Sequence, residues 1–235
     1  MRWQVILMLV SCCDAGTLVA QYTGSAYPEK SLNQALIYDI NTRSFEAARG
    51  RIDGSPFFDE SYQLANLALA DGKTLSNIQT KIDLLSKEVV IITANGMEAR
   101  FYQGMVKEIS ITDTSANGTV LCTIKSGFPA VDKQDTNSFY QVICGGRCSF
   151  IRSLNMTLAE KINDISLRNE KYFKLTTTDY FFVNNEMKIL PKNNAAVLLL
   201  LADKKPALTQ YIQANKINCK YTEDITRLVN YYNSL

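Results

Sequence analysis

The chain has 235 residues, 46% of them hydrophobic and 20% charged, with a formal net charge of +2 and no histidine. That balance excludes wholesale disorder, and so small an excess of Lys and Arg, interspersed with Asp and Glu, does not argue for a nucleic-acid surface. Without an imidazole, Ser-His and Cys-His nucleophilic catalysis are excluded and the commonest metal ligand is missing.

Residues 1–20 read as an export signal. Arg2 supplies a positive start, Val5 to Val10 a short apolar run, and a polar and small-residue segment leads to Ala20, after which a signal peptidase would cut. The run is too short to span a bilayer, which takes about 20 apolar residues, and the apolar stretch 195–202 is too short as well. Two other readings stay open. Leu9-Val10-Ser11-Cys12 has the form of a lipobox, so that lipidation of Cys12 would tie the protein peripherally to a membrane, or the segment is a buried N-terminal strand. The expected location is therefore outside the cytoplasm, periplasmic, outer-membrane-associated or extracellular.

Residues 21–60 form a lead followed by a helix, because Leu32, Ala35, Leu36, Ile40 and Phe45 recur at loosely helical spacing behind Ser31, a natural N-cap. Gly50, Gly54 and Pro56 end it. Residues 61–190 change to short runs of period near two separated by turn signals, the pattern of an antiparallel β-region of about ten strands. The turns are placed at Asp71-Gly72, Ser86-Lys87, Asn95-Gly96, Asn117-Gly118, Gly145-Gly146-Arg147 and Asn184-Asn185, with Asn95-Gly96 the strongest two-residue hairpin signal. Strands are expected on either side of Gly145-Gly146-Arg147, at 139–144 and 148–151, and then at 172–175, 180–183 and 187–190. Residues 191–235 read as short helices. Pro206 suits a first helical turn, and Thr222 as N-cap followed by Glu223 and Asp224 starts the last one, whose apolar face is Ile225, Leu228, Val229 and Tyr232. The fold expected is mainly β (α+β): an antiparallel sandwich, barrel or stacked meanders with an N-terminal helix and a packed C-terminal helical cluster.

The ordered set Gly54-Ser55-Pro56-Phe57-Phe58, Asp71-Gly72-Lys73, Lys81-Ile82-Asp83-Leu84-Leu85, Val106-Lys107 and Tyr231-Tyr232-Asn233-Ser234-Leu235 resembles a group of uncharacterised exported proteins of Bacteroidota-type bacteria. The likeness runs from about Gly54 to the last residue. It implies export and a β-rich body with a helical tail, and it carries no activity, cofactor or catalytic residue. The chain departs from the group at Cys144 and Cys148, where apolar residues are expected.

Candidate chemistry is sparse. Cys144-Gly145-Gly146-Arg147-Cys148 would place two Cβ atoms across a hairpin within the roughly 3.5–4.5 Å of a disulfide. Free buried thiols, or a redox or metal site, are the competing readings of the pair. Cys122 and Cys219 stand singly, so the spaced cysteine pairs of a zinc site are missing and no metal or cofactor is expected. Asp53, Asp59 and Glu60 cluster near a Gly/Pro loop and read as a solvated edge. Tyr172, Tyr180 and Phe182 form an aromatic pair of strands that could face a partner, although such aromatics more often pack across strands. Together these features imply a non-enzymatic binding or interaction module of the cell envelope, with an unidentified protein or small ligand as partner. The alternatives are a carrier with an apolar β-barrel cavity, or an enzyme using paired carboxylates or the Cys144/Cys148 pair.

Overall fold

The computed structural model describes residues 52–113, 119–162 and 169–235. The expected export signal, Cys12, the helix of residues 31–45 and the Asn117-Gly118 turn lie outside the described residues. Within them the protein is mainly β, followed by helices near the C-terminus.

The strands are β1 (Ile52–Asp53), β2 (Gln63–Leu69), β3 (Thr74–Asp83), β4 (Glu88–Ile92), β5 (Glu98–Phe101), β6 (Val106–Asp113), β7 (Thr119–Lys125), β8 (Phe139–Cys144), β9 (Cys148–Ile162), β10 (Asn169–Thr176), β11 (Asp179–Val183) and β12 (Glu186–Ile189). They form one sheet in the order β1-β10-β9-β8-β7-β6-β2-β3-β4-β5, with β11 paired to β9 and β12 to β11. Each pairing is antiparallel except β1 with β10, where Ile52 lies opposite Lys171 in a parallel ladder. Turn chemistry sets several of the hairpins. Asn184 and Asn185 both sit at positive φ, 53° and 62°, between Val183 and Glu186, which is the two-residue turn whose twist matches its strands. The Asn95-Gly96 turn is longer than its sequence suggests: Ile92 pairs with Glu98, and the Thr93 hydroxyl donates to the Met97 carbonyl at 2.8 Å to hold the intervening loop.

The sheet cannot be flat. Phe57 bridges to Asp83 at the end of β3, while Ile52 is on β10 at the far edge. In a flat sheet six strand spacings, about 29 Å, would separate those two places. A five-residue step reaches at most about 18 Å. The strands therefore curl until the 52–58 segment closes the gap, fixed by Phe58 N–H donating to the Ile82 carbonyl at 2.9 Å and Leu84 N–H to the Pro56 carbonyl at 3.0 Å. The curled interior is filled by Leu67, Ile82, Ile91, Phe101, Ile109 and Ile124, with Leu154 and Met156 of β9 completing it.

The long strand β9 joins this core to a second one. Its first half pairs with β8 and β11, and its second half with β10. One face carries Cys148 and Phe150 into the helical core, then Arg152, then Leu154 and Met156 into the curled one. The helices are α1 (Asn194–Leu200), α2 (Lys205–Asn215) and α3 (Thr222–Ser234), with a 3-10 turn at Ala202–Lys204. Asn193 caps α1 by accepting from Ala196 N–H at 2.8 Å. Ile225, Leu228, Val229 and Tyr232 recur on one side of α3 and bury it, as their spacing predicts. Thr222 does not cap it. Tyr221 holds the cap position, Thr222 is the first helical residue, and its hydroxyl is taken by Arg152.

The opposite face of β8, β9 and β11 has its own small cluster. Tyr140, Ile151 and Tyr180 are buried there under Phe128, Phe182 and Met187.

Candidate functional site

The sequence features that looked most distinctive turn out to hold the fold together. Gly145, Gly146 and Arg147 connect β8 to β9, and the end of α3 grips them. The Asn233 side chain accepts from Cys148 N–H at 2.8 Å and donates to the carbonyls of Cys148 at 2.9 Å and Gly145 at 3.2 Å. Gly146 has φ 146°, and a Cβ there would lie 2.4 Å from Asn233 Nδ2, so this close approach requires glycine. Arg147 stacks over the Tyr232 ring at 4.5 Å and pairs with Asp203 at 3.5 Å. The Tyr232 hydroxyl donates to the same carboxylate at 3.1 Å, and burial with that bond raises its pKa. Tyr231 stacks on Tyr211 with 4.1 Å between ring centroids.

Two further segments singled out in the sequence, residues 54–58 and 81–85, are also structural. Gly54-Ser55-Pro56-Phe57-Phe58 is the segment that closes the sheet against Ile82-Asp83-Leu84, and Asp83 Oδ1 accepts from the backbone N–H groups of Leu85 and Ser86 at 3.0 Å each. Lys81 lies over the Tyr62 ring at 4.5 Å and the Phe57 ring at 5.4 Å.

The expected Cys144–Cys148 disulfide is corrected. Cys122, Cys144, Cys148 and Cys219 are all free thiols. The physical reason is register: Phe139 opposite Leu154 and Val142 opposite Ile151 already aim Cys144 at Ser149, and a bulge after Val142 moves it one further to Phe150, so it never lies opposite Cys148. Burial pushes the Cys148 thiol up to about 12 and the Cys219 thiol up to about 11, and it raises Cys144 and Cys122 as well. Protonated, buried thiols are poor nucleophiles and poor metal ligands. Among the described residues no group of three Cys, Asp or Glu is arranged to hold a metal ion.

The aromatic strands divide. Tyr180 is buried in edge contact with Tyr140, its hydroxyl donates to Asp132 at 3.1 Å, and burial pushes its pKa up to about 12. Phe182 packs edge-on to Phe128 at 5.1 Å. The loop bearing Phe128 and Asp132 covers Tyr180, while Phe182 is half-buried against Phe128. Tyr172 remains half-buried at the outer strand β10, under Lys161 at 5.4 Å. Of the loop acids, Asp53 pairs with Lys161 at 3.5 Å and Asp59 accepts from the Ser61 hydroxyl at 2.6 Å, so they do not oppose one another as an acid/base pair would.

Between the two cores, Arg152 is held by Asp179 through Nε at 2.7 Å and Nη2 at 3.1 Å, and it reaches the Thr222 hydroxyl at 3.1 Å. The hydrogen bonds to Asp179 raise the guanidinium pKa further. This is a planar fork satisfied within the protein, tying β9, β11 and α3 together. A cleft bordered by Phe58, Gln63, Thr80, Ile82 and Ile109 holds about 10 Å³, no more than a single water needs.

One surface stands apart. Beyond Met156 the strands β9 and β10 continue as a ribbon, and the core-facing side of β9 runs on through Leu158, Glu160 and Ile162, with Glu160 paired to Lys171 at 3.7 Å between the two aliphatic residues. Register places Leu175 opposite Met156 and Phe173 opposite Leu158, so these side chains share that face. Leu158, Ile162 and Leu175 are 45%, 66% and 47% exposed. The stripe is an outward extension of the curled core with no layer of the described residues over it. Reading the sequence ended β9 at Ile151 and missed it. The signal was present in the alternation Ser153, Leu154, Asn155, Met156, Thr157, Leu158, which has period two.

Comparison with protein families, with curated proteins and with solved structures finds no match.

Proposed function

We propose that the protein is a non-enzymatic interaction module exported to the cell envelope, and that it binds through the apolar stripe Leu158, Ile162 and Leu175 on the β9–β10 ribbon. The stripe carries this reading. Three large aliphatic side chains stand uncovered on one face, Ile162 set off from the other two by the Glu160–Lys171 ion pair, and exposed apolar surface rimmed by polar residues marks an interaction site. Two further features support surface work over internal chemistry: the curled interior is filled by side chains, and the buried thiols and ion pairs are satisfied within the fold. Export rests on the pattern of residues 1–20, and no helix among the described residues is long and apolar enough to cross a membrane.

The test is photo-cross-linking in the native cell. A chain carrying p-benzoylphenylalanine at position 162 should be recovered from the envelope fraction with a discrete adduct to another protein. Recovery from the cytosol, or an envelope-located chain with no adduct at position 162, contradicts the proposal.

A further inference from the structure

The loop between β7 and β8 is tied down at its base and rests on the sheet at its tip. At the base, Ser126 N–H donates to the Lys107 carbonyl at 3.0 Å and its hydroxyl to the Val106 carbonyl at 2.8 Å, and Gly127 N–H donates to the Thr136 carbonyl at 2.8 Å. Lys87 holds Asp135 at 2.9 Å and Ser138 at 3.2 Å. The tip, residues 128–133, makes one hydrogen bond to the sheet among the described residues, from the Tyr180 hydroxyl to Asp132 at 3.1 Å. The rest of its hold is packing: the Phe128 ring meets Tyr140 edge-on at 5.2 Å and Phe182 at 5.1 Å, and Val131 lies against the same cluster. Gly127, at φ 89°, stands where the fixed base gives way to the tip and has the backbone freedom of a hinge.

Beneath that tip the resting arrangement leaves one group without a partner. Tyr140 is fully buried, and its hydroxyl makes no hydrogen bond among the described residues. Burial raises its pKa, and the neighbouring Tyr180, Asp135 and Asp132 raise it further, so the hydroxyl lies within reach of the charges on the loop and stays protonated as a donor. A phenylalanine would fill the same space without burying an unmade bond. The Phe128 ring occupies the room between Tyr140 and Phe182 but brings no acceptor. Another ring carrying an acceptor would fill that room and take the free hydrogen as well. The loop carboxylates disfavour an anion there, so such a ligand is neutral.

We infer that residues 128–133 are a lid and that Phe128 is its plug, displaced by a small neutral aromatic ligand of the phenol class that binds between Tyr140 and Phe182. The ligand oxygen accepts from the Tyr140 hydroxyl, and lifting the tip breaks the Tyr180–Asp132 bond. The site lies on the face of β8, β9 and β11 that the helices do not cover. It shares no residue with the Leu158, Ile162 and Leu175 stripe and stands or falls apart from it.

The experiment titrates the full chain with phenol and, separately, with toluene, a ring of similar size that cannot accept a hydrogen bond, following the methyl signals of Val142, Ile151 and Met187 by NMR. Phenol should give saturable shifts at these methyls with a Kd of about 1 mM or tighter. Tyr140→Phe should lower the ratio of phenol to toluene affinity about fivefold, the worth of one net hydrogen bond, and Tyr180→Phe, which unlatches the tip, should tighten phenol binding by a similar factor. Each variant removes a single hydroxyl, and its fold is checked in the same spectra. Absence of saturable shifts at these methyls, shifts confined to other residues, or a phenol-to-toluene ratio unmoved by Tyr140→Phe would each overturn the inference. So would phenol binding that Tyr180→Phe weakens or leaves unchanged.

Discussion

Replacing Asn233 by Ala should unlock the helical core from the β8–β9 turn. The side chain makes one bond to the backbone N–H of buried Cys148 and two to carbonyls at Cys148 and Gly145. An ordinary hydrogen bond is worth about 1 kcal/mol net, and a buried donor left without a partner costs about 1–3 kcal/mol. The Gly145 carbonyl is open to water, so its loss is small, and the Cys148 groups dominate. The sum is about 2–3 kcal/mol. For a protein of this size that lowers Tm by about 5–10 °C, read by thermal unfolding at neutral pH. Asn233→Asp keeps the acceptor for Cys148 N–H but sets a carboxylate against two carbonyls, so at neutral pH it should recover nothing. The sharper form is a double-mutant cycle with Gly146→Ala. Its added Cβ would fall 2.4 Å from Asn233 Nδ2, so the glycine substitution should cost at least about 1 kcal/mol less when Asn233 is already Ala. A Tm within about 1 °C of wild type for Asn233→Ala, or an additive cycle, would refute the contact as the turn's lock.

Four other outcomes follow from the same geometry. Cys122, Cys144, Cys148 and Cys219 should all alkylate in denaturant without prior reduction; folded at pH 8, Cys148 and Cys219 should resist, and an unreduced mass short by two hydrogens would contradict this. The Cys148 thiol, raised to about 12 in the fold, gives stability that is complete below the unfolded thiol range and is lost as pH climbs through the folded value; a Cys148→Ala variant should lack that alkaline component in pH-dependent unfolding. The Tyr140 hydroxyl is buried with no hydrogen-bond partner among the described residues, so Tyr140→Phe should leave stability unchanged or raise it by about 1 kcal/mol, and a loss above about 1 kcal/mol in urea unfolding would contradict it. Lys87 bonds Asp135 at 2.9 Å and holds its carboxyl below the usual range. That contribution is present above the ordinary carboxylate pKa and is lost as pH falls through the lower folded value, so Lys87→Met should cost about 0.2–1 kcal/mol at pH 7 and nothing near pH 2. An equal cost at both values would rule out the charge pair as its source.

What the sequence disclosed was local. Turn residues placed most of the hairpins, because Gly72, Asn184 and Asn185 occupy backbone regions that few other residues tolerate, and the spacing of Ile225, Leu228, Val229 and Tyr232 placed the buried face of α3. What it did not disclose depends on contacts distant along the chain. The curl of the sheet rests on Phe57 meeting Asp83 and Ile52 meeting Lys171, pairings that no local pattern encodes. The disulfide expectation assumed that the three-residue turn sets the hairpin register, whereas β8 and β9 pair with Val142 opposite Ile151 and a bulge then places Cys144 opposite Phe150. Tyr180 and Phe182 looked like a surface because two aromatic strands can face either way, and the loop bearing Phe128 and Asp132 decided the matter by covering them. The apolar stripe was legible as alternation after Arg152, but Ser153, Asn155 and Thr157 on the opposite face diluted the run.

The central claim is that this protein works through the exposed face of the β9–β10 ribbon. Its most direct test is the native complex size in the cell envelope for the wild-type chain and for a variant with Leu158→Ser, Ile162→Ser and Leu175→Ser together, whose monomeric fold is checked by thermal unfolding. The account predicts that the wild-type chain migrates in an assembly larger than the monomer and that the folded variant does not. A folded variant that stays in the same assembly would contradict it.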